Sequence, residues 1–156
     1  MEILFFIALI ILVAFGFAAF KSRETSIASE KRWPFYAKKP LTQPEQVLYH
    51  RLVRAMPECI VLAQVQLSRV LGVKKGFDFR VWNNRINRLS LDFLICLKDS
   101  TIVSAIELDD KTHNNPLRIE ADTRKEKALF AAGIVLVRWN VGALPDEATI
   151  RQVLAK

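Results

Sequence analysis

Between Ile3 and Phe20 the chain reads ILFFIALIILVAFGFAAF, eighteen residues without one charged side chain. As a helix rising ~1.5 Å per residue, this run is about 27 Å long, close to the depth of a bilayer's hydrocarbon core. Its length and purity predict a membrane span over residues 3–20, and everything that folds in water must come after it. A cleaved signal peptide is the competing reading. Against it, Glu2 stands where a basic start belongs, the run exceeds the usual ~7–15 apolar residues, and no convincing small-x-small cleavage site precedes Lys21. Lys21, Arg23, Lys31, Arg32, Lys38 and Lys39 follow, so the positive-inside rule places the rest of the chain in the cytoplasm.

Beyond the span, residues 21–40 read as a linker of mixed charge, with Pro34 and Pro40 and no sustained period. Trp33, Phe35 and Tyr36 in it suit a membrane interface, or packing on the domain, or no role at all. Residues 41–156 are enough for one compact domain with a core. All 23 Lys and Arg lie after Phe20, and the formal net charge is +7. An anionic partner is therefore favoured, either nucleic acid or an acidic lipid surface. Two cysteines, Cys59 and Cys96, both in apolar surroundings, exclude a disulfide framework and a zinc pattern.

The domain opens at Thr42 with a helical run whose apolar positions are Val47, Leu48, Leu52, Val53 and Met56; Pro57 stops it. IVLAQVQLSRVL, residues 60–71, is expected to be a strand ending in a short helical turn. Residues 72–88 form a polar, basic excursion. LSLDFLICL (89–97) and TIVSAIELD (101–109) are strands joined by Lys98, Asp99 and Ser100. Pro116 to Ala132 has a helical pattern capped by Gly133. IVLVRW (134–139) is a buried strand, and residues 146–154 form a last helix. The order α-β-β-β-α-β-α is that of a small α/β domain around a mixed central sheet.

The middle hairpin carries the chemistry. With its turn centred on Asp99 and Ser100, opposed residues sum to 199, so Leu97 faces Ile102 and Asp92 faces Glu107. Directly opposed side chains have Cβ atoms ~4.5–5.5 Å apart, and Asp109 shares the face of Glu107. Three carboxylates thus converge on strands otherwise built of Leu, Ile, Phe, Val and Ala, with no Arg from the same stretch beside them. Mutual repulsion and burial make that arrangement costly. A divalent cation, Mg²⁺ or Mn²⁺, removes the conflict, since hard cations take carboxylate oxygens and leave positions for water and phosphate. The plainer alternative leaves Asp109 and Asp110 in a solvated loop, with Glu107 alone half-buried.

LDFLI, then AIELDDKTH, then Arg118, Asp122 and Lys125 ahead of an AGI strand, resembles the bacterial domain-of-unknown-function 2726 family. That family is assigned to the PD-(D/E)xK, or restriction-endonuclease-like, nuclease superfamily, near the very-short-patch repair endonucleases. The resemblance spans Lys39 to Trp139. It implies an α-β-β-β-α-β core and a metal held by Asp92 and Glu107. Its bacterial character, joined to the apolar run and the charges after it, makes the expected location a bacterial inner membrane, with one pass and the domain in the cytoplasm. The superfamily places a Lys two residues after its second acid, and here that position is Asp109. By resemblance His113 takes over the catalytic role, with Lys111 as the other candidate. Glu45 matches an acid that members place near the metal on the first helix; Thr42-x-x-Glu45 is equally a capping box. Arg118 and Lys125 are implied phosphate contacts, or else part of a solvated helix face.

The stretch GVKKGFDFRVWNNRINR holds Lys74, Lys75, Arg80, Arg85 and Arg88 against Asp78, with Phe77, Phe79 and Trp82 interleaved. Cations for phosphates and rings for bases suit nucleic acid; an ordinary basic loop whose rings tuck inward is the alternative. Gln64 and Gln66 sit at period two on a strand, either solvated or turned toward the site. The expected function is a membrane-anchored, Mg²⁺-dependent nuclease-like domain acting on nucleic acid, DNA by preference. The alternative is a catalytically inactive module tethering nucleic acid or a protein to the membrane. A third reading gives the basic surface to acidic lipid headgroups.

Overall fold

The structure, a computed structural model, describes residues 10–18, 20–21, 33–109 and 116–155. Contacts divide the chain between Lys38 and Lys39. In the first unit residues 10–18 and 20–21 are helical, and Ile10, Ile11, Leu12, Val13, Phe15 and Phe17 are exposed. No helix among the described residues is long and apolar enough to cross a membrane. Positions 3–9 and 19 of the predicted span lie outside the described residues, as do positions 22–32 of the predicted linker. Trp33, Phe35 and Tyr36 are exposed, the first two rings 5.8 Å apart.

In the second unit the order is α1 (Gln43–Ala55), β1 (Ile60–Gln66), α2 (Phe79–Ile86), β2 (Ser90–Cys96), β3 (Ile102–Asp109), α3 (Pro116–Ala131), β4 (Leu136–Asn140) and α4 (Glu147–Leu154). Every element expected from the pattern is present, within a residue or two at its ends. One was not foreseen. The basic excursion contains α2, started by Asp78, whose carboxylate accepts the Val81 N–H at 2.9 Å. An N-cap aspartate satisfies a donor that a helix end otherwise leaves open. A 3₁₀ turn at Leu67–Arg69 follows β1, as the sequence suggested.

The sheet runs β1-β2-β3-β4. The first three strands are antiparallel neighbours, and β4 joins β3 in parallel through α3, so the sheet is mixed. Leu48, Leu52 and Ala55 of α1 and Met56 just after it, with Ile150 and Leu154 of α4, close over Phe93, Ile95 and Ile106 on one face. On the other, Leu129 of α3 packs with Leu67, Leu91, Leu94, Cys96 and Ala105, and Ile86 of α2 joins from the side. α3 ends where expected: Gly133 has φ +72°, and the Ile134 N–H reaches the Leu129 carbonyl at 3.0 Å. That six-to-one closure needs a left-handed residue, which glycine supplies without strain.

The hairpin register holds where it matters and slips at the turn. Phe93 faces Ile106, Leu94 faces Ala105 and Ile95 faces Ser104, all on the predicted sum. Past that point Cys96, not Leu97, faces Ile102. The turn explains the slip. Leu97 binds both ends of a three-residue loop, its N–H to the Thr101 carbonyl and its carbonyl to the Ser100 N–H, with Ser100 at φ +70°. Such a loop ends in a left-handed residue and a bulge. The extra residue is absorbed beside the turn, so the acid-bearing end keeps its alignment.

Candidate functional site

Asp92 and Glu107 enter the same cleft, of about 730 Å³, at the end of the sheet remote from the hairpin turn. Its walls come from the start of α1 (Thr42, Pro44, Glu45), from Ser90 and Asp92 on β2, and from Glu107 to Asp109 on β3. Arg118, Ile119, Asp122 and Lys125 of α3 complete it, with Arg138 of β4 and Val141 beyond. Asp92 is anchored by its own hairpin: its Oδ2 accepts the Leu108 N–H at 2.8 Å. Five of the lining side chains are acids (Glu45, Asp92, Glu107, Asp109, Asp122) and three are cations (Arg118, Lys125, Arg138). The wall therefore has formal charge −2, favouring a cation within it.

The hairpin's own stretch supplies no cationic partner, and the acids find theirs elsewhere in the fold. Lys125 Nζ lies 2.7 Å from Glu107 Oε2, with both side chains under a tenth exposed. Arg138 Nη1 lies 2.9 Å from Asp109 Oδ1 and its Nη2 3.0 Å from Glu126 Oε1. Neither partner belongs to the hairpin; α3 and β4 bring them in from 18 and 29 residues away. Asp109 is thereby drawn to Arg138, and no three His, Cys, Asp or Glu side chains among the described residues are grouped as metal ligands. Asp92, Glu107 and Asp109, the three acids expected together, all line the cleft.

The pair Asp92 and Glu107 is under electrostatic tension. Burial pushes the Asp92 carboxyl above its ordinary range; the Leu108 N–H opposes this, Glu45 and Asp109 add to it, and Lys125 counters. Burial likewise raises Glu107, against the hydrogen bond and charge of Lys125, with Asp92 adding repulsion. Glu107 Oε1 is buried with no hydrogen-bond partner among the described residues. An unused buried acceptor costs free energy. Around Arg138, burial works against the charge, but Asp109, Glu126, Asp122 and Glu107 together outweigh it and hold the guanidinium charged.

Glu45 resolves toward its capping role. Its Oε2 accepts from the Thr42 N–H and hydroxyl at 2.5 and 2.6 Å, and its Oε1 accepts from Gln64 Nε2 at 2.8 Å. Both oxygens are in use, although the side chain lines the cleft. The same contact explains Gln64, which adopts φ +53° on β1; Gln66 donates to the Asn87 carbonyl. Lys125, expected at the surface with phosphate, is instead the buried partner of Glu107, while Arg118 is exposed at the cleft wall. Lys74, Lys75 and Arg80 are exposed and outside the cleft lining. Lys111 and His113 lie outside the described residues. Arg138 is the participant that sequence reasoning missed. Its signal was present: a charge at period two inside the apolar strand IVLVRW.

A family model described as "Protein of unknown function (DUF2726)" matches residues 37–156, the family that the hairpin residues resembled. No curated protein and no solved structure matches the chain.

Proposed function

The chain belongs to the DUF2726 family, and from that premise we propose that it is a membrane-anchored, cytoplasm-facing nuclease-like protein of the PD-(D/E)xK superfamily, related to the very-short-patch repair endonucleases. It hydrolyses phosphodiester bonds of nucleic acid, DNA foremost, with Mg²⁺ or Mn²⁺. The observation carrying this reading is the pair of half-buried Asp92 and buried Glu107 in one acidic cleft, with Glu107 Oε1 left without a donor among the described residues. Carboxylate oxygens in a cleft of net negative charge are a donor set that suits a hard divalent cation. Asp92 and Glu107 are the residues that would hold it. Such an ion supplies Lewis-acid polarisation of a phosphoryl oxygen and a water more easily deprotonated than bulk water.

The chain's own groups supply the rest. Lys125, fixed against Glu107, supplies a positive charge to the cleft, in a chain where the superfamily's lysine position, 109, carries an aspartate. Arg118 offers an exposed guanidinium to a phosphate. The proton-transfer role stays with His113 or Lys111. Residues 3–20 act as the anchor, a reading supported by their apolar run and by the exposed apolar side chains from Ile10 to Phe17.

The test is cleavage of plasmid and oligonucleotide substrates by the purified chain with Mg²⁺ or Mn²⁺. Asp92→Ala is expected to abolish turnover. Equal activity in wild type and Asp92→Ala under both metals sinks the catalytic reading. A second reading rests on Lys125 and Arg138: with cationic partners already in place, the cluster is tolerable as a silent scaffold. It predicts salt-dependent nucleic-acid binding without turnover, unchanged by Asp92→Ala and weakened by neutralising Lys74, Lys75 and Arg80.

A further inference from the structure

The surface of α2 and the loop before it is at odds with a freely soluble domain. Phe77, Phe79, Val81 and Trp82 are 58%, 63%, 51% and 42% exposed. Phe77 and Trp82 are in ring contact and Phe79 lies one turn before Trp82 on the helix, so large apolar side chains are concentrated here as monomeric proteins seldom leave them in water without a use. Lys74, Lys75, Arg80, Arg85 and Arg88 are exposed around them. The lone acid of this stretch, Asp78, is occupied in capping the helix. Among the described apolar side chains of α2, Ile86 is the one that packs on the second core cluster, while Phe79, Val81 and Trp82 stay exposed.

Two partner classes fit a cationic aromatic surface, and details of the rings separate them. Base stacking needs ring faces that are free. Here the Arg85 guanidinium already lies over the Trp82 ring at 4.4 Å from its centroid, and Phe77 meets Trp82 at 90° with centroids 5.8 Å apart. Val81 has no face to offer a base. A bilayer's headgroup region makes no such demand: it takes aliphatic and aromatic side chains alike, with cations flanking them.

We propose that residues 74–88 form a peripheral membrane contact. In it Phe77, Phe79, Val81 and Trp82 enter the headgroup layer, and Lys74, Lys75 and Arg80 meet the phosphates of anionic lipids. The contact gains from the anchor read above, since a connector of ~20 residues can reach at most about 70 Å even fully extended and so confines the domain near the bilayer. A weak surface affinity then suffices.

The experiment follows Trp82 emission in the full chain carrying Trp33→Phe, with Trp82→Phe added in a control to subtract Trp139. Vesicles with brominated acyl chains are made of phosphatidylcholine alone or with phosphatidylglycerol added. The expected result is quenching of Trp82 that requires the anionic lipid and is lost in high salt. Phe79→Ser removes it. Lys74→Gln with Lys75→Gln lowers the surface affinity about thirtyfold, at about fivefold per charge, so quenching is lost at lower salt. If the chain floats with neutral vesicles but Trp82 stays unquenched when the lipid is anionic, the contact is overturned and the anchor stands. If it fails to float with neutral vesicles while anionic ones still quench Trp82, the anchor reading fails and the contact stands. A Trp82 response to a single-stranded oligonucleotide, with none to either vesicle, overturns the proposal in favour of nucleic acid.

Discussion

Replacing Lys125 with methionine keeps most of the side chain's length and removes the charge that faces Glu107. The pair is separated by 2.7 Å, and its side chains are only 9% and 8% exposed, so solvent screening offers little relief. Breaking a buried ion pair from one side costs about 3–5 kcal/mol, because the remaining charge is left unpaired. Glu107 has one escape, which is to take up a proton. From an ordinary value of 4.5, protonation at pH 7 costs 2.5 pH units at about 1.36 kcal/mol each, or about 3.4 kcal/mol. The expected loss at pH 7 is therefore about 3 kcal/mol, and it depends on pH in a defined direction. In the variant the folded-state pKa of Glu107 is raised above its unfolded value. The fold then binds a proton that the unfolded chain has released, and stability falls as pH rises above 4.5. Toward pH 4.5 the electrostatic part of the loss disappears. Urea denaturation of the full chain between pH 5 and 8 measures this as a shift in midpoint at constant slope. Adding Glu107→Gln to Lys125→Met removes the orphaned charge and recovers most of the loss at pH 7. A loss below about 1 kcal/mol at pH 7, or one that does not shrink on acidification, refutes the claim that this buried pair holds α3 to β3.

Three further outcomes follow from the same cleft. Asp92→Asn keeps an acceptor for the Leu108 N–H and removes a carboxylate whose pKa burial raises; the variant is expected to be more stable than wild type at neutral pH, with the gain fading as pH falls toward 3.8, and denaturation at several pH values checks this. Mn²⁺ is expected to raise the denaturation midpoint of the wild-type chain at pH 7.5, and not that of Asp92→Asn; in calorimetric or fluorescence melts, equal shifts in both locate the ion elsewhere. Glu45→Ala is expected to cost about 1 kcal/mol by uncapping α1, as caps of this kind do, and urea titration measures it without reference to any activity.

Much of the hairpin was legible because its rules are local. A period of two and a short connection bring Asp92 and Glu107 to the same end of the hairpin, just beyond the Phe93–Ile106 pair, and the register shift between Ile95 and Cys96 shows that the turn end can slip by one residue without disturbing the far end. Thr42 and Glu45 were readable as a cap for the same reason, three residues apart on one helix start. α2 escaped notice because FRVWNNRI is only eight residues long and sits inside a run of cations that reads as a basic loop. Lys125 was one of several cations on the helical stripe of α3, alike in sequence to Arg118, Arg124 and Lys127. Only the docking of that helix over β3 decides which one is buried.

The amino-acid sequence by itself determined the apolar run at the start, the kinds and order of nearly all elements, and which carboxylates share a strand face. Those depend on side-chain periodicity and on chain connections a few residues long. Which cation meets which acid was decided by tertiary structure alone. Lys125 and Arg138 reach Glu107 and Asp109 across 18 and 29 residues, and a charge pair is selected by the packing of α3 and β4 on the sheet rather than by any spacing within one segment.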